Sequence, residues 1–314
     1  MKHILVTGGA GFIGTRTVEA LLARGVQVRV FDNLSNGKQS NLSSAALADG
    51  RLVLQIGDVR DASAVDAAVQ GCDAVLHLAA QVSVQRSVAE PVESSTHNLT
   101  GFLNVLDAVR RQRVPRLVYA SSAAIYGVPE SLPLDETARP KPLSPYGLEK
   151  FINEQYAALY ATLYGVSAVG RRYFNVYGPG QDPSSPYAGV ISKFADGLEA
   201  GTPLRVFGDG AQTRDFVYVD DVAQANVRAL HADVQGVLNV GTGRSVSLLQ
   251  LIDAMAEAFG KQQQVRHESP AAGDIAHSGS NPARLSQALG WKPETALVYG
   301  LGELAKSLRR LSVS

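Results

Sequence analysis

The chain has 314 residues, 45% of them hydrophobic and 18% charged, enough for one large α/β domain or a domain with a smaller lobe and too apolar for extended disorder. Lys plus Arg equals Asp plus Glu at 29 each, so no global field attracts nucleic acid or an anionic membrane, and an anionic ligand must be held by a local site. The single cysteine, Cys72, excludes an intramolecular disulfide and a thiolate metal cluster.

The N-terminus runs directly into an apolar strand pattern without a signal-peptide layout, and no stretch reaches the length of a membrane span. A soluble, cytoplasmic protein with no membrane or nucleic-acid partner is the expectation. Apolar, β-branched runs at 4–6, 27–31, 52–55, 74–78 and 116–120 predict buried strands. Helical periodicity predicts helices at 13–24, 62–69, 98–113 and 146–164. Alternating units of this size predict a parallel sheet with helices on both faces, binding its ligand beyond the C-terminal strand ends. After about residue 170 the pattern is less regular: glycine turns at 178–180, 208–210 and 241–243 separate helical stretches at 190–199, 222–229, 248–259 and 282–289. The fold class expected is α/β, a Rossmann-type doubly wound parallel sheet over 1–170 with a smaller, interleaved substrate lobe mainly from 171–314, some of its segments returning to the large domain.

Thr7-Gly8-Gly9-Ala10-Gly11-Phe12-Ile13-Gly14 follows the first strand and opens the first helix. Gly8, Gly11 and Gly14 suit a tight turn, close approach of a pyrophosphate and close helix–strand packing, and the helix N-terminus offers N–H groups to phosphate. Asp32 ends the second strand, where a carboxylate accepts from an adenosine ribose and repels a 2′-phosphate, favouring NAD over NADP; the plainer alternative is a solvated turn acid. Asp58 either reaches the adenine or caps a helix within Asp58-Val59-Arg60-Asp61.

Tyr146 and Lys150 lie one helical turn apart, with Pro145 suited to the first helical position. Ser121 and Ser122 sit just after the strand at 116–120, where an α/β active site lies. A Ser, a Tyr and a Lys around a nicotinamide form a proton-transfer device for alcohol–ketone interconversion. Lys150 and the positive nicotinamide lower the Tyr146 pKa, Tyr146 takes the hydroxyl proton, and Ser122 holds that oxygen. In isolation, Tyr-x-x-x-Lys is as easily a packed Tyr beside a snorkelling Lys; the dinucleotide fingerprint ahead of it decides for chemistry.

These features together resemble the extended short-chain dehydrogenase/reductase family, in particular its UDP-hexose 4-epimerases, and most of all those acting on UDP-N-acetylglucosamine. The likeness covers essentially the whole chain. It includes the Gly-rich loop, His77-Leu78-Ala79-Ala80, the Ser-Ser-x-x-x-Tyr-Gly stretch ending at Gly127, and Tyr146-Gly147-Leu148-Glu149-Lys150. It continues through Arg172-Tyr173-Phe174-Asn175-Val176-Tyr177-Gly178-Pro179 and Arg214-Asp215-Phe216-Val217-Tyr218-Val219-Asp220-Asp221. The resemblance implies NAD contacts from Gly8, Gly11, Phe12, Ile13, Gly14, Asp32, Asn33, Asp58, Val59, Leu78, Ala79, Ala80, Gln81, Asn98, Tyr146, Lys150 and Tyr173. It assigns catalysis to Ser122, Tyr146 and Lys150, with Ser121 the neighbouring alternative to Ser122.

Dehydratases and decarboxylases of the family place an acid soon after the Ser, whereas here Ala123-Ala124-Ile125 can exchange no proton. The resemblance therefore implies a 4-epimerase that retains NAD through turnover. Implied substrate contacts are Ser83, Arg86, Ser122, Tyr146, Asn175, Arg214 and Ser278. Arg214 would grip the diphosphate through its guanidinium fork, the alternative being a surface ion pair with Asp209 or Asp215. Many relatives carry an Arg before the Gly-Asp matching Gly273-Asp274; here Ala271 and Ala272 stand there, which removes a second phosphate contact unless Arg266 or another base replaces it.

Ser278 matches the pocket position that is a bulky Tyr in glucose/galactose-restricted epimerases and small in those accepting 2-acetamido sugars; alternatively it caps a turn. Val82-Ser83-Val84-Gln85-Arg86-Ser87, Gly180-Gln181-Asp182-Pro183 and Tyr187-Ala188-Gly189-Val190-Ile191 also look like the acetylhexosamine enzymes' sugar pocket. The expectation is interconversion of UDP-GlcNAc and UDP-GalNAc. The alternatives are a UDP-glucose/UDP-galactose 4-epimerase, a 4-keto sugar-nucleotide reductase that exchanges its cofactor, and a non-catalytic nucleotide-binding protein. The six histidines show no metal-ligand spacing, so no metal is expected. Tyr156, Leu159, Tyr160, Leu163 and Tyr164, with the apolar face of 98–113, suit core packing or the intersubunit four-helix bundle of a homodimer.

Overall fold

The short apolar runs of the first half stack into one parallel sheet in the computed structural model, which describes residues 1–181, 189–270 and 275–311. Strand β1 (His3–Thr7) leads into helix α1 (Phe12–Leu22), β2 (Gln27–Asp32), the short α2 (Ser44–Ala48), β3 (Leu52–Ile56), α3 (Ala62–Val69) and β4 (Ala74–His77). Next come α4 (Val84–Ala89), α5 (Pro91–Ser95), a π-helical turn at Thr96–Thr100, α6 (Gly101–Arg111), β5 (Leu117–Ser122), α7 (Pro145–Tyr164), β6 (Ala168–Tyr173) and β7 (Asn175–Tyr177). The remainder comprises α8 (Val190–Ala200), β8 (Leu204–Phe207), β9 (Thr213–Tyr218), α9 (Val219–His231), β10 (Gly236–Val240), β11 (Ser245–Ser247), α10 (Leu248–Phe259), β12 (Val265–Glu268), α11 (Ala283–Leu289) and α12 (Leu297–Leu311). No helix among the described residues is long and apolar enough to cross a membrane.

The large sheet has the order β3-β2-β1-β4-β5-β6-β10, with every neighbouring pair parallel. The chain winds outward in one direction from β1 through β2 and in the other through β4, so a crevice opens beyond the C-terminal ends of β1 and β4. Side chains alternate along each strand. Ile4, Val6, Val28 and Leu76 pack with α1, α9 and α11, whereas Leu5, Phe31, Val75 and Leu117 pack with α3, α6 and α7. A separate core gathers α8, α10 and α12 around β7, β8 and β9. Cys72 is buried beside α3, and Trp291 packs at the edge of the α1–α9 face under the Arg228 guanidinium.

Local chemistry sets the helix that matters most. Ser144 caps α7 by accepting from the Gly147 N–H, Pro145 occupies its first turn, and Gly165 ends it in the left-handed region. Several boundaries differ from the sequence expectation. The fourth strand ends at His77, and the fifth runs on to Ser122, so Ser121 and Ser122 close the strand rather than follow it. The helix expected at 98–113 starts in a π turn continuous with α5. Helix α12 had no sequence expectation; Gly300 and Gly302 weaken its helical signal, while Leu301, Leu304 and Ala305 supply its buried face.

Strand β6 buries all six residues. Arg172 faces α7 and forms a buried ion pair with Glu154 at 2.7 Å. Arg171, on the opposite face, is wholly buried, and neither of its terminal nitrogens has a hydrogen-bond partner; only Nε reaches the Tyr173 hydroxyl, at 3.4 Å. Burial, with the Arg171 charge adding to it, pushes the nearby Arg116 down to about 10. A buried guanidinium without partners costs several kcal/mol. Arg171→Met should therefore raise unfolding stability by about 1–4 kcal/mol in urea titrations; a less stable variant would overturn this account of the β6 core.

Candidate active site

The crevice between β1 and β4 is built by close backbone approach. A Cβ at Gly8 would lie 2.6 Å from the Ala79 nitrogen, and one at Gly14 would lie 2.1 Å from the Gly8 carbonyl oxygen. Only glycine lets the turn after β1 sit so near the loop after β4, and α1 so near that turn. Gly11, the α1 cap residue, has no side chain to occupy the first N–H groups, so the start of the helix through Phe12 and Ile13 presents donors to the crevice. Asp32 accepts from the Ala10 N–H at 2.9 Å and the Leu34 N–H at 2.8 Å, which braces the glycine turn. Asn33 donates to Asp58 at 2.9 Å, and Asp58 is paired with Arg60, whose hydrogen bond holds the carboxyl well below the usual range. The cap of α3 is Asp61, which accepts from Ser63 and Ala64, so Asp58 does not serve that role.

The loop after β4 is anchored twice. Thr7 accepts from the Leu78 N–H through its carbonyl and from the Ala79 N–H through its hydroxyl. Beyond Ala80, Gln81 exchanges two hydrogen bonds with Asn98, each of 2.9 Å. His77 lies beneath, with Nδ1 2.8 Å from the Thr7 hydroxyl, and burial pushes its pKa down to about 3, so it is neutral. Val59 is buried against Gly101. The Tyr173 hydroxyl donates to Asn226 at 2.7 Å, deep under α9.

Strand β5 and helix α7 bring Ser122, Tyr146 and Lys150 together. The Tyr146 and Ser122 side chains share a hydrogen bond, and the Lys150 ammonium stands 5.7 Å from the centre of the Tyr146 ring. Ser122 also accepts from the Ala124 N–H. Strand alternation sends Ser121 the other way, where it donates to Glu154 at 2.5 Å, so Ser122 is the serine within reach of Tyr146. Lys150 is buried and has no hydrogen-bond partner among the described residues. Burial pulls its pKa down to about 8, with Glu149 opposing.

The sequence expectation of a lowered phenol is not met by the protein's own groups. Burial pushes Tyr146 up to about 12, the Ser122 hydrogen bond only partly opposing it while Glu149 and Tyr173 add to the rise. A positive charge delivered to the crevice is thus needed to make Tyr146 a base near neutrality. The Lys150 ammonium without a hydrogen-bond partner among the described residues, the bare helix start and the glycine contacts fit a dinucleotide.

The residues expected to touch substrate are spread around the mouth. Ser83 is buried and caps α4 by accepting from the Arg86 N–H, while Arg86 pairs with Glu90 at 3.0 Å. Asn175 donates to the Asp215 carbonyl, and Arg214 donates to the carbonyls of Thr213 and Ala276. Asp215 is fully buried and accepts from Thr242, Gly243 and Ser280. Ser278 is half-buried, its N–H on the Thr213 carbonyl and its carbonyl on the Ser245 hydroxyl. Arg266 is exposed on β12. Asp182, Pro183, Tyr187 and Ala188 of the expected pocket, and Ala271, Ala272, Gly273 and Asp274, lie outside the described residues. Sequence reasoning missed Glu149, whose signal was an acid beside Lys150 in a helix otherwise read for its Tyr and Lys. It also missed the Ser121–Glu154–Arg172–Tyr126 network behind the strand.

Residues 4–241 match the NAD dependent epimerase/dehydratase family. The UDP-glucose 4-epimerase of Mycolicibacterium smegmatis is 38% identical over 311 residues, spanning 98% of this chain and 99% of that protein. A solved UDP-N-acetylglucosamine 4-epimerase from Methanobrevibacter ruminantium, in complex with UDP-N-acetylmuramic acid, superposes with a TM-score of 0.95 at 35% identity and 99% coverage of both chains. The Thermus thermophilus UDP-glucose 4-epimerase complex with NAD superposes with a TM-score of 0.89 at 41% identity, covering 98% of this chain and 99% of that one.

The buried ammonium makes a prediction about stability. The native value of Lys150, about 8, lies below the unfolded one of about 10.5. Its burial therefore opposes folding fully below pH 8, and the penalty fades as pH rises toward 10.5. Lys150→Met should stabilise the nucleotide-free protein by about 3 kcal/mol at pH 7, less at pH 10, in urea titrations. An equal effect at both pH values would sink this electrostatic reading.

Proposed function

The chain belongs to the NAD dependent epimerase/dehydratase family, and from that premise we propose that it interconverts UDP-GlcNAc and UDP-GalNAc through a transient 4-keto sugar. NAD is the cofactor, and UDP-sugar 4-epimerisation is the reaction class. The observation that carries the reading is the Ser122–Tyr146–Lys150 cluster at the open end of the parallel sheet.

NAD, which the glycine turn, the bare start of α1 and Lys150 would hold, would supply the hydride acceptor and donor for C4 of the hexose. Tyr146 takes the C4 hydroxyl proton as the ketone forms and gives it back when the alcohol is restored. Ser122 hydrogen-bonds the same oxygen in both directions. Lys150 holds positive charge beside the phenol, which the protein alone leaves too weak an acid. Ala123, Ala124 and Ile125, next to Ser122, carry no group for a β-elimination. One acid–base residue suffices if the ketone turns over between the two hydride transfers. Arg214 is assigned to the diphosphate, Asn175 to the sugar–phosphate junction, and Ser83 and Arg86 to the sugar pocket.

The acetylated sugar rests on Ser278. Its N–H donates to the Thr213 carbonyl and its carbonyl accepts from the Ser245 hydroxyl, which holds the backbone in place, and a hydroxymethyl group at this position is far smaller than an aromatic ring. A second reading, UDP-glucose and UDP-galactose, is favoured by the names that most of the sequence relatives carry. Tyr156, Leu159, Leu163 and Tyr164 are exposed along α7, in keeping with a homodimer formed through α6 and α7.

Purified protein without added cofactor should convert UDP-GlcNAc to UDP-GalNAc in an NMR assay, and Tyr146→Phe should cut the rate roughly 10²–10⁴-fold. Turnover of UDP-glucose with UDP-GlcNAc untouched would keep the reaction and overturn the sugar. Ser278→Tyr should depress turnover of the acetylated pair while sparing the other; equal loss on all four sugars, or none on the acetylated pair, would count against the gatekeeper.

A further inference from the structure

The first N–H groups of a helix have no carbonyl one turn back to reach. In α7, Pro145 has no N–H to offer, Gly147 donates to the Ser144 hydroxyl at 3.1 Å, and the first regular bond runs from Leu148 to the Ser144 carbonyl at 3.0 Å. The donor between them is the backbone N–H of Tyr146 itself, and its acceptor comes from another element. It is the Ser87 hydroxyl on α4, at 3.1 Å. Ser87 is wholly buried, and its hydroxyl donates to the Val84 carbonyl at 2.7 Å, which leaves the oxygen lone pairs for Tyr146.

Helix α4 is in turn fixed at its start. Ser83 accepts from the Arg86 N–H at 3.0 Å, and the Ser87 N–H donates to the Ser83 carbonyl at 3.0 Å. The Gln81 side chain accepts from the Ser83 N–H and donates to the Ser83 carbonyl at 3.0 Å, so α4 is tied to the loop after β4. A second contact bears on the same turn of α7. A Cβ at Gly147 would lie 2.6 Å from the Ala124 carbonyl oxygen, and the Ala124 N–H donates to the Ser122 hydroxyl at 3.1 Å. The start of α7 is thus held at two places: against Ala124, beside Ser122, and against Ser87 on α4.

We propose that Ser87 is a positioning residue for the epimerisation: its hydroxyl holds the Tyr146 backbone and so keeps the phenol in register with Ser122 and with the helix that bears Ser83 and Arg86. This rests on the function proposed above, and it adds a link between the helix assigned to the sugar pocket and the base that acts on the sugar.

The test compares Ser87→Ala, which removes the acceptor, with Ser87→Thr, which keeps it, in the NAD-loaded protein. Amide hydrogen exchange followed by NMR reads the contact directly, and kcat and KM are measured on the UDP-sugar that the parent turns over. In Ser87→Ala the Tyr146 amide should exchange about tenfold faster with the Gly147 amide unchanged, and kcat should fall about tenfold with KM within about twofold. Ser87→Thr should keep the parent's kcat and its slow Tyr146 amide. A Tyr146 amide that exchanges as in the parent, a kcat that does not fall, or an equal fall in both variants overturns the proposal. So does faster exchange along the whole of α7, the mark of a merely structural role. If Ser87→Ala does not fold, Ser87→Cys, whose sulfur is a weaker acceptor at the same place, takes its part in the comparison. A parent protein inert toward UDP-sugars would sink the assigned reaction, while the amide exchange would still read whether Ser87 holds Tyr146.

Discussion

Lys150 is a buried residue whose ammonium stands beside a phenol that burial has made a poorer acid, and no described residue gives that ammonium a hydrogen bond. Its nitrogen is not among the sealed, unpartnered polar atoms, so it opens to the crevice, where a ligand can complete its surroundings. The geometry of the crevice is consistent with that need. Gly8 brings the glycine turn against the β4 loop and Gly14 packs α1 onto that turn, the helix start is left uncapped by any side chain, and Asp32 braces the turn. The site is therefore unfinished in an informative way: it combines an ammonium without a hydrogen-bond partner among the described residues and a helix start without a side-chain cap.

Helix α7 shows how one element serves two purposes by rotation alone. Tyr146 and Lys150 share the face turned to the crevice. Glu149 and Asn153 turn to the π-helical turn after α5, and Glu154 turns to Arg172 and Ser121 on the sheet. Two buried carboxylates one turn apart thus have different tasks. Glu154 is paired with a guanidinium at 2.7 Å, whereas Glu149 accepts from hydroxyl and amide donors of Ser94, Ser95 and Asn98. The distinction lies in the partners, not in the residue type.

The second lobe contributes differently. Its strands β7 and β9 present Asn175 and Arg214 beside the segment bearing Ser278, and the Asp215 carboxylate holds the Thr242–Gly243 turn and Ser280 in register behind them. The Arg16–Asp220 ion pair at 2.6 Å and the packing of α9 on α1 tie these elements to the nucleotide fold. Substrate residues sit on strand ends and short connections, positioned by buried polar contacts rather than by loops of their own.

Much of this was written in local pattern. Buried parallel strands are near-continuous apolar runs, so β1 to β5 were legible to within a few residues, and the glycine spacing with Asp32 marked the crevice. Tyr146 and Lys150 were legible because helical spacing puts them on one face whatever surrounds them. Three things were not. Helix α12 hides behind two glycines whose helix-breaking tendency is overridden by burial of Leu301 and Leu304. The choice between Ser121 and Ser122 depends on the phase of β5 and on what stands opposite each face. The hydrogen bonds that Glu149 accepts come from groups fifty or more residues away in the chain, and the burial of Arg171 without partners for its terminal nitrogens follows from packing that no local pattern shows. Sequence alone determined which residue types recur at which spacing, because periodicity and backbone geometry are local. Tertiary structure alone decided which charges are paired, desolvated or left in need of a ligand, because those are properties of neighbours brought together only by folding.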